Sequence, residues 1–327
     1  MDTTLLEVKD LVTRIPLEDG GTIQAVNGVS FSIARGASMA LVGESGSGKS
    51  MTVLSLMGLL PRPGRVMSGH ALLDGRDLLA LPAVELRRIR GREIGMVFQD
   101  PATSLNPVLT VGQQLTEGLR AHLAMSKAAR LARAVELLGL VGISGGEERL
   151  KSFPHEFSGG QRQRILIAMA IACEPRLLIA DEPTTALDAT IQAQIVELLK
   201  GLQRRLSMAI LWITHDLALV AGLVDRVAVM YAGSIVEEAA VRDLFGRPRH
   251  PYTLGLLRAI PRADARHTGS ERLVSIPGSP PDLRDLGPGC AFAPRCSMVL
   301  ERCRSERPQL APVAPGHQTA CFRAGEL

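Results

Sequence analysis

At 327 residues, with 46% hydrophobic and 21% charged side chains, the chain exceeds an average domain and can bury a core, which excludes a disordered protein and invites a large and a small unit. The net charge of +4 sits in the tail, where residues 246–327 hold 12 Arg, no Lys and 7 acidic residues. The remainder is near neutral and lacks the basic footprint of a nucleic-acid binder.

Residues 1–7 lack the basic start and apolar block of a secretory signal. Residues 6–14 and 25–34 read as two strands of an antiparallel unit. In the second, Val29, Phe31 and Ile33 alternate with Gly28, Ser30 and Ser32, the period of a half-buried strand. Arg35-Gly36 marks a turn into a short apolar strand, 38–42. Directly behind it stands Gly43-Glu44-Ser45-Gly46-Ser47-Gly48-Lys49-Ser50, and then an apolar stretch of helical length, 51–60, stopped by Pro61. In that context the glycines let backbone NH groups curl round a triphosphate and the helix N-terminus adds positive dipole. Lys49 then reaches the β- and γ-phosphates and Ser50 ligates Mg2+. The competing reading is a chance glycine-rich turn; the flanking strand and helix favour an ATP or GTP site.

Asp74-Gly75 between short runs signals a hairpin. Residues 94–98 form a buried-strand candidate ending at Gln99-Asp100-Pro101, followed by a largely helical stretch, 111 to about 148, with breaks expected at Gly139 and Gly145-Gly146. Phe157-Ser158-Gly159-Gly160-Gln161 opens a helix, 162–173, a second helix start suited to an anion. Residues 177–180 are a continuous apolar run bounded by Asp181-Glu182-Pro183, as in a parallel strand covered on both faces. Carboxylates at the carboxyl end of such a strand sit where α/β sheets bind ligands, and an adjacent pair there is costly without a cation or ligand nearby. Helix 190–206, strand 208–213 and His215-Asp216 repeat the arrangement. The longest apolar run, 208–224, is broken by Thr214-His215-Asp216, so no membrane span of about 20 residues is expected. Up to about residue 245 the chain therefore reads as α/β with a mainly parallel sheet.

From residue 246 the texture changes: 11 of the 20 prolines and four of the five cysteines fall in this stretch, which reads as a small, loop-rich appendix. Cys290, Cys296, Cys303 and Cys321 argue for a metal over disulfides in a chain without an export signal. Zinc usually shows tighter pairs, so the wider spacing favours iron–sulfur, with zinc and free thiols as alternatives. Cys173 reads as a packing residue.

Five separated pieces, in order, resemble the ATP-binding cassette (ABC) ATPases: the phosphate loop 43–50, a Q-loop at Gln99, a signature motif at 157–161, a Walker B strand at 177–182 and a switch histidine at His215. Ala186-Leu187-Asp188 is similar to the family's D-loop. Residues 99–107, together with 250–253, 276–281 and 289–296, resemble the dipeptide, oligopeptide and nickel importers of that family. The resemblance implies an ABC-type P-loop ATPase domain over 1–245, with a mainly parallel sheet, an antiparallel β subdomain and a helical subdomain at about 105–172. It also implies a small Cys-rich C-terminal extension over 246–327 with a [4Fe-4S] cluster.

On that resemblance Lys49 and the loop NH groups hold the phosphates, while Ser50, Gln99 and Asp181 arrange Mg2+. Glu182 polarises the attacking water and His215 holds the γ-phosphate and orients the water. Ser158, Gly159 and Gly160 complete the ATP site of an opposite subunit, and Gln161 and Asp188 belong to the same nucleotide-binding set. The implied partners are a sister ATPase subunit, two transmembrane permease subunits and an extracytoplasmic solute-binding protein, with the chain peripheral at the cytoplasmic face of the inner membrane and no nucleic acid bound. A soluble ABC ATPase acting on nucleic acid or ribosomes is the rival, but it would need a second cassette or a long coiled-coil insertion. A regulatory binder with a dead site conflicts with Lys49, Glu182 and His215. One departure stands out: Ile15 occupies the place where the family sets an aromatic on adenine, so weak discrimination of ATP from GTP is expected.

Overall fold

Alternating burial builds the first sheet. The computed structural model describes residues 4–185, 187–260 and 275–327, so Ala186 of the D-loop resemblance lies outside the described residues. β1 (Thr4–Pro16) and β2 (Thr22–Ala34) each run 13 residues, and in β2 Val29, Phe31 and Ile33 are buried while Gly28 and Ser32 are exposed. β3 (Ser38–Val42) follows with all five residues buried, and then α1 (Lys49–Leu56). This helix stops short of Pro61 because Gly58, at φ +57°, closes it: the Gly58 NH donates to Ser55 O at 3.1 Å and the Leu59 NH to Leu54 O at 2.8 Å, the paired bonds of a Schellman motif. β4 (Arg65–Leu73) and β5 (Arg76–Asp77) form the expected Asp-Gly hairpin, and the four antiparallel strands take the order β2-β1-β4-β5.

Next come α2 (Ala83–Ile89), β6 (Ile94–Val97), α3 (Pro101–Ser104), α4 (Val111–His122), α5 (Lys127–Leu140), α6 (Gly146–Lys151) and α7 (Gly159–Ala170). The break expected at Gly139 falls one residue later, α5 ending at Leu140 with Val141 as its cap. A further interruption falls earlier, where Ser126 accepts from the Ala129 NH at 3.2 Å and starts α5. The chain continues through β7 (Leu177–Asp181), α8 (Ala189–Leu206), β8 (Ala209–Thr214), α9 (Leu217–Val220), β9 (Arg226–Tyr231), β10 (Ser234–Ala240), α10 (Val241–Gly246) and α11 (Pro251–Arg258). It closes with α12 (Arg302–Ser305), β11 (Ala311–Ala314) and β12 (His317–Thr319).

These elements divide into two units assembled from discontinuous segments. The first comprises residues 1–5, 33–38 and 80–213. In it β6, β7 and β8 run parallel, pairing Ile94 with Leu177 and Leu177 with Ala209. Every residue of β7 and β8 is buried, as the unbroken apolar runs require of strands covered on both faces. The second unit comprises residues 6–32, 39–79 and 214–327. It holds the antiparallel sheet and the strand order β11-β12-β10-β9-β3, in which β3 is parallel to β9 and β9 antiparallel to β10. Ala232 and Gly233, at φ +48° and +80°, make the tight β9–β10 turn, whose positive dihedrals match strand twist. The sheet is therefore mixed.

The tail does not stand apart. β12 pairs with β10, Glu237 opposite Thr319 and Glu238 opposite Gln318, and residues 275–327 belong to the same unit as the phosphate loop. Buried contacts hold this pairing: His317 Nε2 and Glu237 Oε1 lie 2.7 Å apart with exposures of 4% and 0%.

Candidate nucleotide site

In the second unit the phosphate loop is held from below by main chain. A Cβ on Gly43 would stand 2.3 Å from Met230 O, and one on Gly48, at φ +102°, 2.4 Å from Ala25 O; only glycine allows these approaches. The Gly233 NH, from the β9–β10 turn, donates to Ser47 O at 2.9 Å. Lys49 is buried and donates from Nζ to the loop's own carbonyls, Gly43 O at 2.8 Å and Glu44 O at 3.0 Å, with Ser47 Oγ at 3.4 Å. Its ammonium thus lies inside the curl of the loop, and Ser50 follows in the first turn of α1.

Two residues of the tail grip this loop, a role the sequence did not suggest for either. The Glu44 NH donates to Tyr252 Oη at 2.9 Å, and Arg295 donates to both carboxylate oxygens of Glu44, at 2.7 and 2.9 Å. Both lie in stretches that carried the importer resemblance, but pairings across 208 and 251 positions leave no local signal. Burial raises the Tyr252 hydroxyl well above the usual tyrosine range, so it stays neutral, while the Glu44 carboxylate raises the Arg295 pKa further and fixes its charge.

In the first unit β7 delivers Asp181, buried, and then Glu182. Glu182 sits at φ +46°, a left-handed conformation that costs a non-glycine residue about 1–2 kcal/mol and is typical of functional positions. It is held there by its own NH, which donates to Ile213 O at 2.9 Å. Its Oε2 accepts from Gln99 Nε2 at 3.0 Å and from Thr185 Oγ1 at 2.9 Å. The structure therefore joins the Q-loop residue to the carboxylate assigned to water activation.

The signature turn begins α7 three residues earlier than expected. Ser158 and Gln161 form a reciprocal cap, Gln161 NH to Ser158 Oγ at 3.3 Å and Ser158 NH to Gln161 Oε1 at 3.1 Å, which satisfies two otherwise orphaned donors. Gly159 and Gly160 follow, and a Cβ on Gly160 would stand 2.8 Å from Ile191 Cγ2. The same α8 start is capped by Asp188, whose Oδ1 accepts from the NH groups of Thr190 at 3.1 Å and Ile191 at 3.0 Å. The signature turn and the start of α8 are thus packed side by side. His215 is exposed, just past β8 in the unit of the phosphate loop.

The expected cluster at the four tail cysteines gains no support. The four tail thiols lie close enough to perturb one another's ionisation, Cys321 feeling Cys290, Cys296 and Cys303. Yet among the described residues no group of three or more His, Cys, Asp or Glu is arranged to hold a metal ion, and all five cysteines are free. Burial raises the pKa of Cys290 and Cys296 and pushes Cys321 up to about 11. The [4Fe-4S] cluster finds no support in this arrangement, and zinc none either.

Comparison with known proteins places the chain in a family. Residues 26–185 match the ABC transporter family and residues 236–303 the oligopeptide/dipeptide transporter C-terminal region. Oligopeptide transport ATP-binding protein OppD of Bacillus subtilis is 53% identical over 316 residues, 96% of this chain and 87% of that protein. OppD of Escherichia coli is 51% identical, covering 98% and 94%. Among solved structures, the dimeric post-hydrolysis state of the ATP-binding cassette MJ0796 bound to ADP and Pi superposes with a TM-score of 0.64 at 30% identity, over 72% of this chain and 99% of that one. The chain belongs to the ABC transporter family, among its oligopeptide transport ATP-binding proteins. It is a transport ATPase.

Proposed function

We propose that this chain energises import of oligopeptides, hydrolysing ATP at the cytoplasmic face of a membrane in complex with two permease subunits, a second ATPase subunit and an extracytoplasmic binding protein. The names of its relatives support the solute class, and the dimeric form of the MJ0796 cassette supports pairing. Among the described residues no helix is long and apolar enough to cross a membrane, in keeping with a separate permease. In this reading residues 1–245 are the ATPase domain, with a helical subdomain at about 105–172, and 246–327 an extension specific to this transporter group. No metal is assigned to the four cysteines.

The observation that carries the mechanism is the Gln99–Glu182 hydrogen bond of 3.0 Å. Glu182 positions and polarises the attacking water, His215 orients it, and Lys49 with the loop NH groups offsets phosphate charge. A hydroxyl, an amide and a carboxylate, from Ser50, Gln99 and Asp181, are the hard oxygen donors that Mg2+ takes beside phosphate, and that ion when bound would neutralise charge on the β- and γ-phosphates. Because Gln99 gives its amide nitrogen to Glu182, its oxygen is the end that meets a cation. Gln99 would thus be the residue through which the occupied site bears on the loop leading into α3 and α4. There, a cleft of about 810 Å3 whose lining sets Leu109, Leu131 and Leu150 among the charged Glu117, Arg120, Lys127, Arg130, Glu147 and Lys151 suits an amphipathic segment of a permease. Ser158, Gly159 and Gly160 serve the ATP of the opposite subunit, and Ile15 leaves ATP only weakly preferred over GTP.

Affinity capture of the native protein tests this reading. It should bring down two polytopic membrane proteins and a second ATPase, and the complex in vesicles should take up oligopeptides only with ATP. Capture of RNA or ribosomes without a permease would overturn it.

A further inference from the structure

We propose that Arg295 and Tyr252 of the C-terminal segment are positioning residues for ATP binding, acting on the phosphate loop through Glu44; the proposal rests on the reading of residues 43–50 as the triphosphate cradle. Arg295 Nη1 donates to Glu44 Oε2 at 2.7 Å and Nη2 to Oε1 at 2.9 Å. The guanidinium is kept in that pose by Nε on Pro277 O at 2.9 Å and by Nη1 on Tyr231 Oη at 3.3 Å. Tyr252 accepts from the Glu44 NH at 2.9 Å and is locked among Tyr231 and Phe292, with ring centroids 4.6 and 5.4 Å away. The second residue of the loop is therefore gripped by both its main chain and its side chain.

This is not a surface ion pair. The Arg295 side chain is 5% exposed and that of Glu44 28%, and a two-pronged guanidinium–carboxylate pair is both directional and stronger than a single bond. Two effects on ATP follow. The grip fixes the loop NH groups before the nucleotide arrives, so less ordering remains to be done on binding. It also neutralises a carboxylate that would otherwise stand within the phosphate cradle and repel a polyanion. The second effect separates a positioning role from mere support of the tail: if Arg295 is lost, removing the Glu44 charge as well should help ATP bind.

The test uses the full chain, with ATP binding measured by calorimetry and hydrolysis measured in the transporter complex. Arg295→Ala should weaken ATP binding about tenfold, the scale of a lost hydrogen bond to a charged group, raising KM with kcat little changed. Glu44→Gln combined with Arg295→Ala should recover most of that loss. Arg295→Lys, which keeps the charge but not the fork, and Tyr252→Phe should each cost about threefold. A folded Arg295→Ala protein that binds ATP like wild type, or a double variant no better than the single one, overturns the proposal. Should Arg295→Ala not fold, wild-type affinity in both Arg295→Lys and Tyr252→Phe overturns it equally. Failure of the wild-type chain to bind ATP strikes instead at the reading of the loop, and needs no variant to detect.

Discussion

Asn106 and Gln114 are joined by a reciprocal pair of hydrogen bonds, Asn106 NH to Gln114 Oε1 at 2.9 Å and Gln114 Nε2 to Asn106 O at 3.0 Å. A third bond runs from Gln114 Nε2 to Leu109 O at 3.0 Å. One buried amide on α4 thus supplies the main-chain partners of the loop that descends from Gln99. Gln114→Ala takes the partner from the Asn106 NH and from Leu109 O and leaves Asn106 O with only the Leu109 NH at 3.3 Å; in a part-buried place each loss costs about 1–3 kcal/mol. The variant should melt at lower temperature in calorimetry, and in the complex it should hydrolyse ATP with reduced transport per turnover. An unchanged melting temperature would remove Gln114 from this role.

Glu182→Gln keeps the shape of the side chain and removes the negative charge that polarises water. Turnover should fall roughly 100-fold or more, the usual contribution of a positioned base, while ATP still binds. Steady-state hydrolysis and nucleotide retention measured on the same preparation decide the matter; full turnover would reassign the base.

Gly48→Ala places a methyl group 2.4 Å from Ala25 O at φ +102°. Backbone strain alone is about 1–2 kcal/mol, and the overlap with main chain forces the loop to move. ATP affinity should drop with little loss of secondary structure. Gly201→Ala is the control, because nothing stands within 4 Å of its added carbon.

His250 caps α11 by accepting from the Tyr252 NH at 3.1 Å, and complete burial pushes its pKa from 6.5 down to about 3. Below pH 6.5 an unfolded chain gains a proton here that the folded chain refuses. Stability is therefore full above 6.5 and is lost as pH falls towards 3, by up to about 1.4 kcal/mol per pH unit from this group. His250→Asn retains a capping acceptor that does not titrate. Its melting temperature should decline less steeply than wild type between pH 6.5 and 4.5; parallel curves would exclude the histidine as the cause.

Motifs whose chemistry is local were readable from the order of residues alone. Unbroken apolar runs marked β3 and β7, glycine spacing with a following helix marked the phosphate loop, and the carboxylate pair after β7 marked the catalytic edge. Each depends on contacts within a few positions, so composition and period suffice. Helix boundaries were less legible: Pro61 suggested the end of α1, whereas Gly58 imposed it through bonds of its own, and α5 ran one residue past Gly139.

What the sequence by itself determined is the family, and with it the proposed places of the triphosphate cradle and of the hydrolytic carboxylate. Tertiary structure alone decided that Arg295 and Tyr252 clasp Glu44, that Gln99 reaches Glu182, and that a three-residue strand, His317–Thr319, ties the tail to β10. Hydrogen bonds between groups 83 to 251 positions apart form only when packing brings them within 3 Å of each other, and no periodicity along the chain encodes that distance.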